Sequence, residues 1–265
     1  MRRLVLYPLL FFALCTPLCA QFAGEGVRRG MNEGTLAGFG NSVIKDTYLS
    51  PFTYTGWSAR ILNERMTLLR NMRFSRQQII SVDISSTKNP AENVSDFGAF
   101  VDYSLAYHYR FRPGADLVVV PGAFAHLMGG FVYNTRNGNN PLSAKVDADA
   151  GLSIILFYTF RISRYSLILR YQGEAPLAGI FFAPPYKSSY YEIFNEGNTS
   201  NIIALNSFHN KLSVRNYLTL DIPIHGSTLR VGYLGSLYYS DIKFLETRIF
   251  SNALMLGWVK NFVLQ

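Results

Sequence analysis

From Phe97 the chain alternates. Phe97, Ala99, Val101, Tyr103, Leu105, Tyr107, Tyr109 and Phe111 share one parity, and Gly98, Phe100, Asp102, Ser104, Ala106, His108, Arg110 and Arg112 share the other. Successive side chains of a β-strand point to opposite faces, so the segment has one wholly apolar face and one that is largely small or charged. The stretch from Val146 repeats this. Val146, Ala148, Ala150, Leu152, Ile154, Leu156, Tyr158 and Phe160 lie on one face, and Lys145, Asp147, Asp149, Gly151, Ser153 and Thr159 on the other, with Ile155 and Phe157 as exceptions. Leu229, Val231, Tyr233, Leu237 and Tyr239 make a third case, and Leu254, Leu256, Trp258 and Phe262 a fourth, interrupted by Lys260.

A secreted β-sandwich is the rival reading, because its strands also have one apolar face. Length separates the two. Soluble strands run about 5–6 residues, whereas a strand crossing a bilayer needs about 9–11. Alternation here runs unbroken from 97 to 112, with Tyr and Phe near the ends of the apolar stripe, where interfacial girdles lie. The pattern predicts an all-β fold, an antiparallel transmembrane β-barrel.

Turn chemistry orders the strands. Short turns fall at Asn71-Arg73, Arg112-Asp116, Ile162-Ser163 and His225-Gly226, and longer polar loops near 45–52, 86–96, 136–141, 182–200 and 241–245. Barrels of this kind keep short turns in the periplasm and long loops outside. The strands then lie near 34–44, 53–70, 74–88, 97–112, 117–135, 142–160, 165–181, 201–222, 227–240 and 246–262, ten in all; a further hairpin within 182–212 would make twelve. A two-residue turn at His225-Gly226 sets Asp221 against Arg230 and Ile222 against Leu229, apolar pairs on one face and the acid–base pair on the other. Pro121 removes a ladder donor inside a strand, and a bulge is expected there.

Charged residues make up 16% of the chain and aromatics 15%, against about 25% charged in a typical soluble domain. The chain opens with Met1-Arg2-Arg3, an apolar stretch from Leu4 to Leu14 and then Thr16-Pro17-Leu18-Cys19-Ala20, the layout of a secretory signal peptide cleaved after Ala20, with Ala23 as the fallback. A lipoprotein signal fits poorly, because Leu14 and Leu18 precede the two cysteines. Residues 21–33 read as a short lead-in and 34–265 as the barrel. Removing Arg2 and Arg3 takes Lys+Arg from 25 to 23, which against 17 Asp+Glu leaves +6. Both cysteines lie in the signal, so no disulfide framework is expected. With no run of Lys or Arg, nucleic acid is not an expected partner. No later apolar run reaches helix-spanning length, and a closed barrel is the other structure that pairs every backbone group in lipid.

Four stretches carry a family resemblance: DTYLSPFTYTGWSARILNERM (46–66), FVYNTRNGNNP (131–141), LRYQGEAPLAGIFFAPPYKSSYYEIF (169–194) and VRNYLTLDIPIHGSTLRVGYL (214–234). With them the chain resembles an uncharacterised family of Bacteroidetes outer-membrane barrels known only as domain of unknown function 3316. The resemblance implies a cell-envelope barrel in the outer membrane of a Gram-negative bacterium, with outer-membrane lipid as its surroundings. It implies no activity, ligand or catalytic residue.

The chemistry reads sparsely. His108, His126, His209 and His225 include no i,i+4 pair, so neither a metal site nor a cofactor is expected. His225-Gly226-Ser227 has the His-x-Ser spacing of lipid-hydrolase barrels, but it falls in a periplasmic turn, far from outer-leaflet esters, and no catalysis is expected. Arg60, Glu64, Asp102, His108, Asp147, Asp149, Arg170, Glu174, Arg215, Asp221 and Arg230 share the inward parity. They read either as a salt-bridged plug or as a polar conduit, and a barrel only slightly wider than eight strands favours the plug. The long aromatic loop over 182–212, with Tyr186, Tyr190, Tyr191 and Phe194, is either a cap on the mouth or a surface for an extracellular partner. The expected role is a closed structural or interaction barrel. A narrow channel is the alternative and a lipid hydrolase the third reading.

Overall fold

The computed structural model describes residues 29–69, 73–138, 140–163, 165–185, 190–197, 200–224 and 227–264. The signal peptide, residues 21–28 of the lead-in and the His225-Gly226 turn lie outside these. The strands are β1 (Arg29–Asp46), β2 (Thr53–Leu68), β3 (Phe74–Lys88), β4 (Ser95–Tyr109), β5 (Leu117–Asn134), β6 (Leu142–Ile162), β7 (Tyr165–Phe182), β8 (Ile203–Ser207), β9 (Lys211–Ile224), β10 (Ser227–Ile242) and β11 (Leu245–Leu264), with a one-turn helix, α1 (Tyr190–Phe194). All pairings are antiparallel, and β1 pairs with both β2 and β11, so the sheet is closed. β8 and β9 share one place in the wall, since both pair with β7 at different heights. The result is a ten-stranded barrel, and the twelve-stranded alternative falls away because the described residues of the 183–202 connection hold a helix and no strand. β1 begins at Arg29, so the expected lead-in of 21–33 loses its last five residues to the wall.

The faces are inverted relative to a soluble protein. On β3, Ile80, Val82 and Ile84 are exposed while Ser81, Asp83 and Ser85 are buried. The outer surface is therefore apolar and faces lipid, and the polar residues fill the interior. Near the short-turn end the outer face exposes Phe74, Tyr107, Tyr109, Tyr158 and Tyr165, and near the loop end Trp57, Phe97, Tyr133 and Phe250. These are the two aromatic girdles. Among the described residues no helix is long and apolar enough to cross a membrane.

Arg230 lies opposite Asp221 and Leu229 opposite Ile222, the register that a two-residue turn requires. Cysteines at Ile222 and Leu229, on the lipid face, are expected to form a disulfide on mild oxidation without disturbing the lumen. Bonding of 222 to 228 or 230 in preference, read by mass spectrometry, would displace this register. Two expectations are corrected. Pro121 carries no bulge. It sits in register with Ile154, and its donorless side faces β4 where that ladder lapses, between His108–Gly122 and Phe111–Val119. The connection expected to be long over 241–245 is a tight turn, with Lys243 at φ 53° and Phe244 at φ 65°.

Candidate functional site: a filled lumen

All eleven inward candidates point into the barrel, and side chains from opposite walls meet there. Toward the short-turn end, Glu64 on β2 is the hub. It accepts from both Nη atoms of Arg170 on β7 (3.0 and 2.5 Å), from Nη1 of Arg230 on β10 (2.9 Å) and from Gln77 Nε2 on β3 (2.6 Å). Arg230 also forks onto both oxygens of Asp221 (2.6 and 2.7 Å). Gln77 and Gln172 exchange two amide hydrogen bonds of 2.9 Å, and Gln172 donates onward to Glu174 (2.7 Å). The Arg170 guanidinium lies 5.2 Å from the centre of the Tyr217 ring and 5.8 Å from that of Phe157, the inward exception in its strand. Two carboxylates, Glu64 and Asp221, face two guanidinium groups, and every one is buried. Buried charges persist when paired and hydrogen-bonded in this way.

Above this layer, Arg215 on β9 donates through Nε to Glu174 (2.7 Å), and Arg60 through Nε to Asp83 (2.5 Å). Asp102 Oδ1 lies 2.8 Å from His126 Nε2. His108 lies away from these, toward the short turns, with Nε2 3.0 Å from Ser153 Oγ. Arg60, Asp83, Asp102, His126, Glu174 and Arg215 line a cavity of about 90 Å³, room for a handful of waters at about 10–15 Å³ each. A third layer covers it. Lys211 Nζ donates to Asp147 (2.7 Å) and Asp149 (2.8 Å), sits 5.0 Å from the Tyr238 ring centre, and Asn206 completes Asp149 (2.8 Å). Nearer the mouth, Lys145 pairs with Asp46 at 2.8 Å. The inward candidates did not include Lys211, Asp83 or His126, and Lys145, placed by parity on the polar face of its strand, was not counted among them. Asp83 was readable from its exposed neighbours Val82 and Ile84.

The loop over the mouth is anchored by Tyr190. Its hydroxyl accepts the Ala144 amide (2.7 Å), and its ring meets Tyr48 edge-on at 6.0 Å and stacks on Phe182 at 6.3 Å. Burial raises the pKa of that hydroxyl. Ile193 is buried beside it. Tyr186 lies outside the described residues, as do the side chains of Tyr191 and Phe194. At the next tip, Lys243 Nζ donates to the Ala183 carbonyl (2.8 Å) and to that of Asn201, while Phe244 is fully exposed. No group of three His, Cys, Asp or Glu that could hold a metal occurs among the described residues.

The sequence matches, over residues 7–265, the model of a family described as protein of unknown function, DUF3316. The chain belongs to that family. No curated protein sequence matches it. Among solved structures this DUF3316 chain is similar to the outer-membrane protease OmpT of Escherichia coli, with 6% identity, 91% of this chain and 99% of that one covered, and a TM-score of 0.51. It is also similar to the β-domain of the Bordetella autotransporter BrkA (11% identity, 89% and 100% covered, TM-score 0.44). A third is an outer-membrane channel from Pseudomonas putida F1 (11% identity, 92% and 98% covered, TM-score 0.36). At such identities the likeness speaks to the fold alone: an outer-membrane β-barrel. The DUF3316 barrel shares its architecture with the protease, and architecture by itself assigns no activity.

Proposed function

We propose that this protein is a closed, non-catalytic barrel of the Gram-negative outer membrane that presents its long loops to a partner outside the cell. The filled lumen carries the reading. Glu64, Arg170, Arg230, Asp221, Gln77 and Gln172 bridge the bore from wall to wall, and a second bridge at Lys211 lies above them. A solute would have to separate buried ion pairs to pass. An aqueous channel is held open by about 16–18 strands, well beyond the ten found here. The outward display is supported by the Lys243-Phe244 turn. Two consecutive non-glycine residues at positive φ are strained, and the Lys243 contacts to the cap hold them while aiming an exposed aromatic ring at solvent.

Planar-bilayer recording tests this. Purified protein is expected to insert without single-channel steps. Steady steps whose size changes in Arg170→Gln would establish the narrow channel instead. Deletion of 184–198 is expected to abolish binding of the barrel to whole cells while leaving its heat-shifted gel mobility intact. Release of fatty acid from phospholipid that vanishes in Ser227→Ala would make the protein a hydrolase.

A further inference from the structure

The lipid face carries one row of side chains out of keeping with it. Asn216 on β9, Gly235 on β10, Asn252 on β11 and Asn41 on β1 follow one another in register across four adjacent strands. The three asparagines have the outward parity, and apolar side chains surround them. β9 exposes Leu218 and Leu212 on either side of Asn216, and β11 exposes Leu254 and Phe250 on either side of Asn252. Phe39, also exposed, precedes Asn41 on the outer face of β1. Trp57 closes the row, opposite Asn41 on β2 and stacked on Phe39 at 6.0 Å.

Two of the amides are held in place. The Tyr171 hydroxyl donates to Asn216 Oδ1 (2.7 Å), and the Tyr233 hydroxyl donates to Asn252 Oδ1. Each ring has room because a glycine lies beside it: a Cβ at Gly173 or Gly235 would stand 3.1 or 3.0 Å from the tyrosine oxygen. With the carbonyl oxygens engaged, the Nδ2 donors of Asn216 and Asn252 are left over, without a partner among the described residues. The Asn41 side chain has no hydrogen bond among them either.

Depth says what can meet these donors. Lys45 and Arg248, paired with each other four residues nearer the loops, join Glu246 in a charged cluster at headgroup level. Four residues of a strand tilted by about 40° descend about 10 Å, to the boundary between headgroups and hydrocarbon. The Trp57 indole on the same rung belongs at that boundary. An amide placed there costs free energy until it is hydrogen-bonded. The spare groups are donors, and the acceptors at this depth are the carbonyl oxygens of acyl linkages. Asn252 and Asn41 lie directly opposite on neighbouring strands, about 5 Å apart, a spacing that the two linkages of one glycerol unit span. We propose that the outer face from β9 to β1 is a binding site for a diacyl lipid of the outer leaflet, held through the carbonyl oxygens of its ester linkages by Asn41, Asn252 and Asn216.

Trp57 stands beside the row and reports occupancy. In Trp258→Phe it is the sole indole, and a brominated diester phosphatidylcholine seated on the row quenches it. Unlabelled diester phosphatidylcholine is expected to relieve the quenching about ten times as effectively as the diether analogue, which has the same head and chains and lacks both carbonyls. Asn41→Leu combined with Asn252→Leu should bring the two competitors level, and Tyr233→Phe should narrow the gap. Trp258 lies six residues nearer the short turns than Asn252, and alone in Trp57→Phe it should show no preference. Should the double variant lack heat-shifted mobility, Asn41→Leu replaces it, with a narrowed gap expected. Equal displacement by diester and diether at Trp57 would overturn the site. So would a preference that survives the Asn41 and Asn252 substitutions, or one that appears equally at Trp258. Absence of any ester preference, with a crosslinked dimer that vanishes in the double variant, would give the row to a second copy of the chain.

Discussion

Glu64→Ala is expected to cost the barrel about 3–5 kcal/mol, the usual consequence of removing one partner from a buried ion pair. Glu64 accepts four hydrogen bonds, from Arg170, Arg230 and Gln77, and is itself buried. Its loss leaves Arg170 with no carboxylate, only the Gln172 amide oxygen and the rings of Tyr217 and Phe157. Arg230 keeps Asp221, so the damage should be unequal: Arg170→Met placed on Glu64→Ala should recover much of the stability, and Arg230→Met should recover less. The contrast is with Glu33→Ala. Glu33 pairs with Arg65 at 2.9 Å, but both side chains are more than a quarter exposed, and such pairs contribute about 0–1 kcal/mol. Urea unfolding in lipid vesicles, read by gel mobility and circular dichroism, measures the series. Equal effects of Glu64→Ala and Glu33→Ala would mean that the lumen is hydrated and the network carries little.

The second large effect separates two adjacent glycines. A Cβ at Gly130 would lie 2.3 Å from the Ala99 carbonyl oxygen, 2.5 Å from Phe100 Cδ1 and 2.8 Å from Phe100 Cα. Two of these are backbone atoms of the neighbouring strand, so the sheet itself would have to move. At Gly129, on the lipid face between Val101 and Val146, a Cβ would meet nothing within 4 Å. Gly130→Ala is expected to destabilise by about 1–3 kcal/mol, as overpacking does, and Gly129→Ala to be neutral or slightly stabilising. Gly130→Val should yield little folded, heat-modifiable barrel. Equal tolerance at both positions would show that β4 and β5 do not approach here as described.

Strand number, wall order and the inward set were legible because the period of two is long and rarely broken, so that parity alone assigned Asp102, His108, Asp147 and Asp149 to the lumen. Parity stops being transferable at an insertion. On β7, Arg170, Gln172 and Glu174 are buried at even positions, but above Leu177 the buried residue is Phe181. The same inversion separates Asn206 from Lys211 across the 208–210 turn, two segments that read as one strand over 201–222. Pro176 was the available signal for the break. Partnership was not legible at all. Glu64 meets Arg170 across 106 positions of sequence, and which inward residues meet depends on the stagger and width of the closed barrel rather than on any local pattern.

The seam that closes the barrel joins β1 to β11 in continuous register from Arg29–Leu264 to Asp46–Thr247, all eighteen residues of β1. These strands are the first and last in the described chain, and their contacts are among the most non-local a polypeptide of this length can make. Chain entropy must be lost over the whole sequence before that seam returns anything, which makes closure the slow, late event of assembly. Until then the molecule carries two long unpaired edges, each a template for any extended chain it meets. A nascent copy is therefore at its most aggregation-prone just before it is complete, and its yield should depend on how dilute or how well escorted it is at that moment.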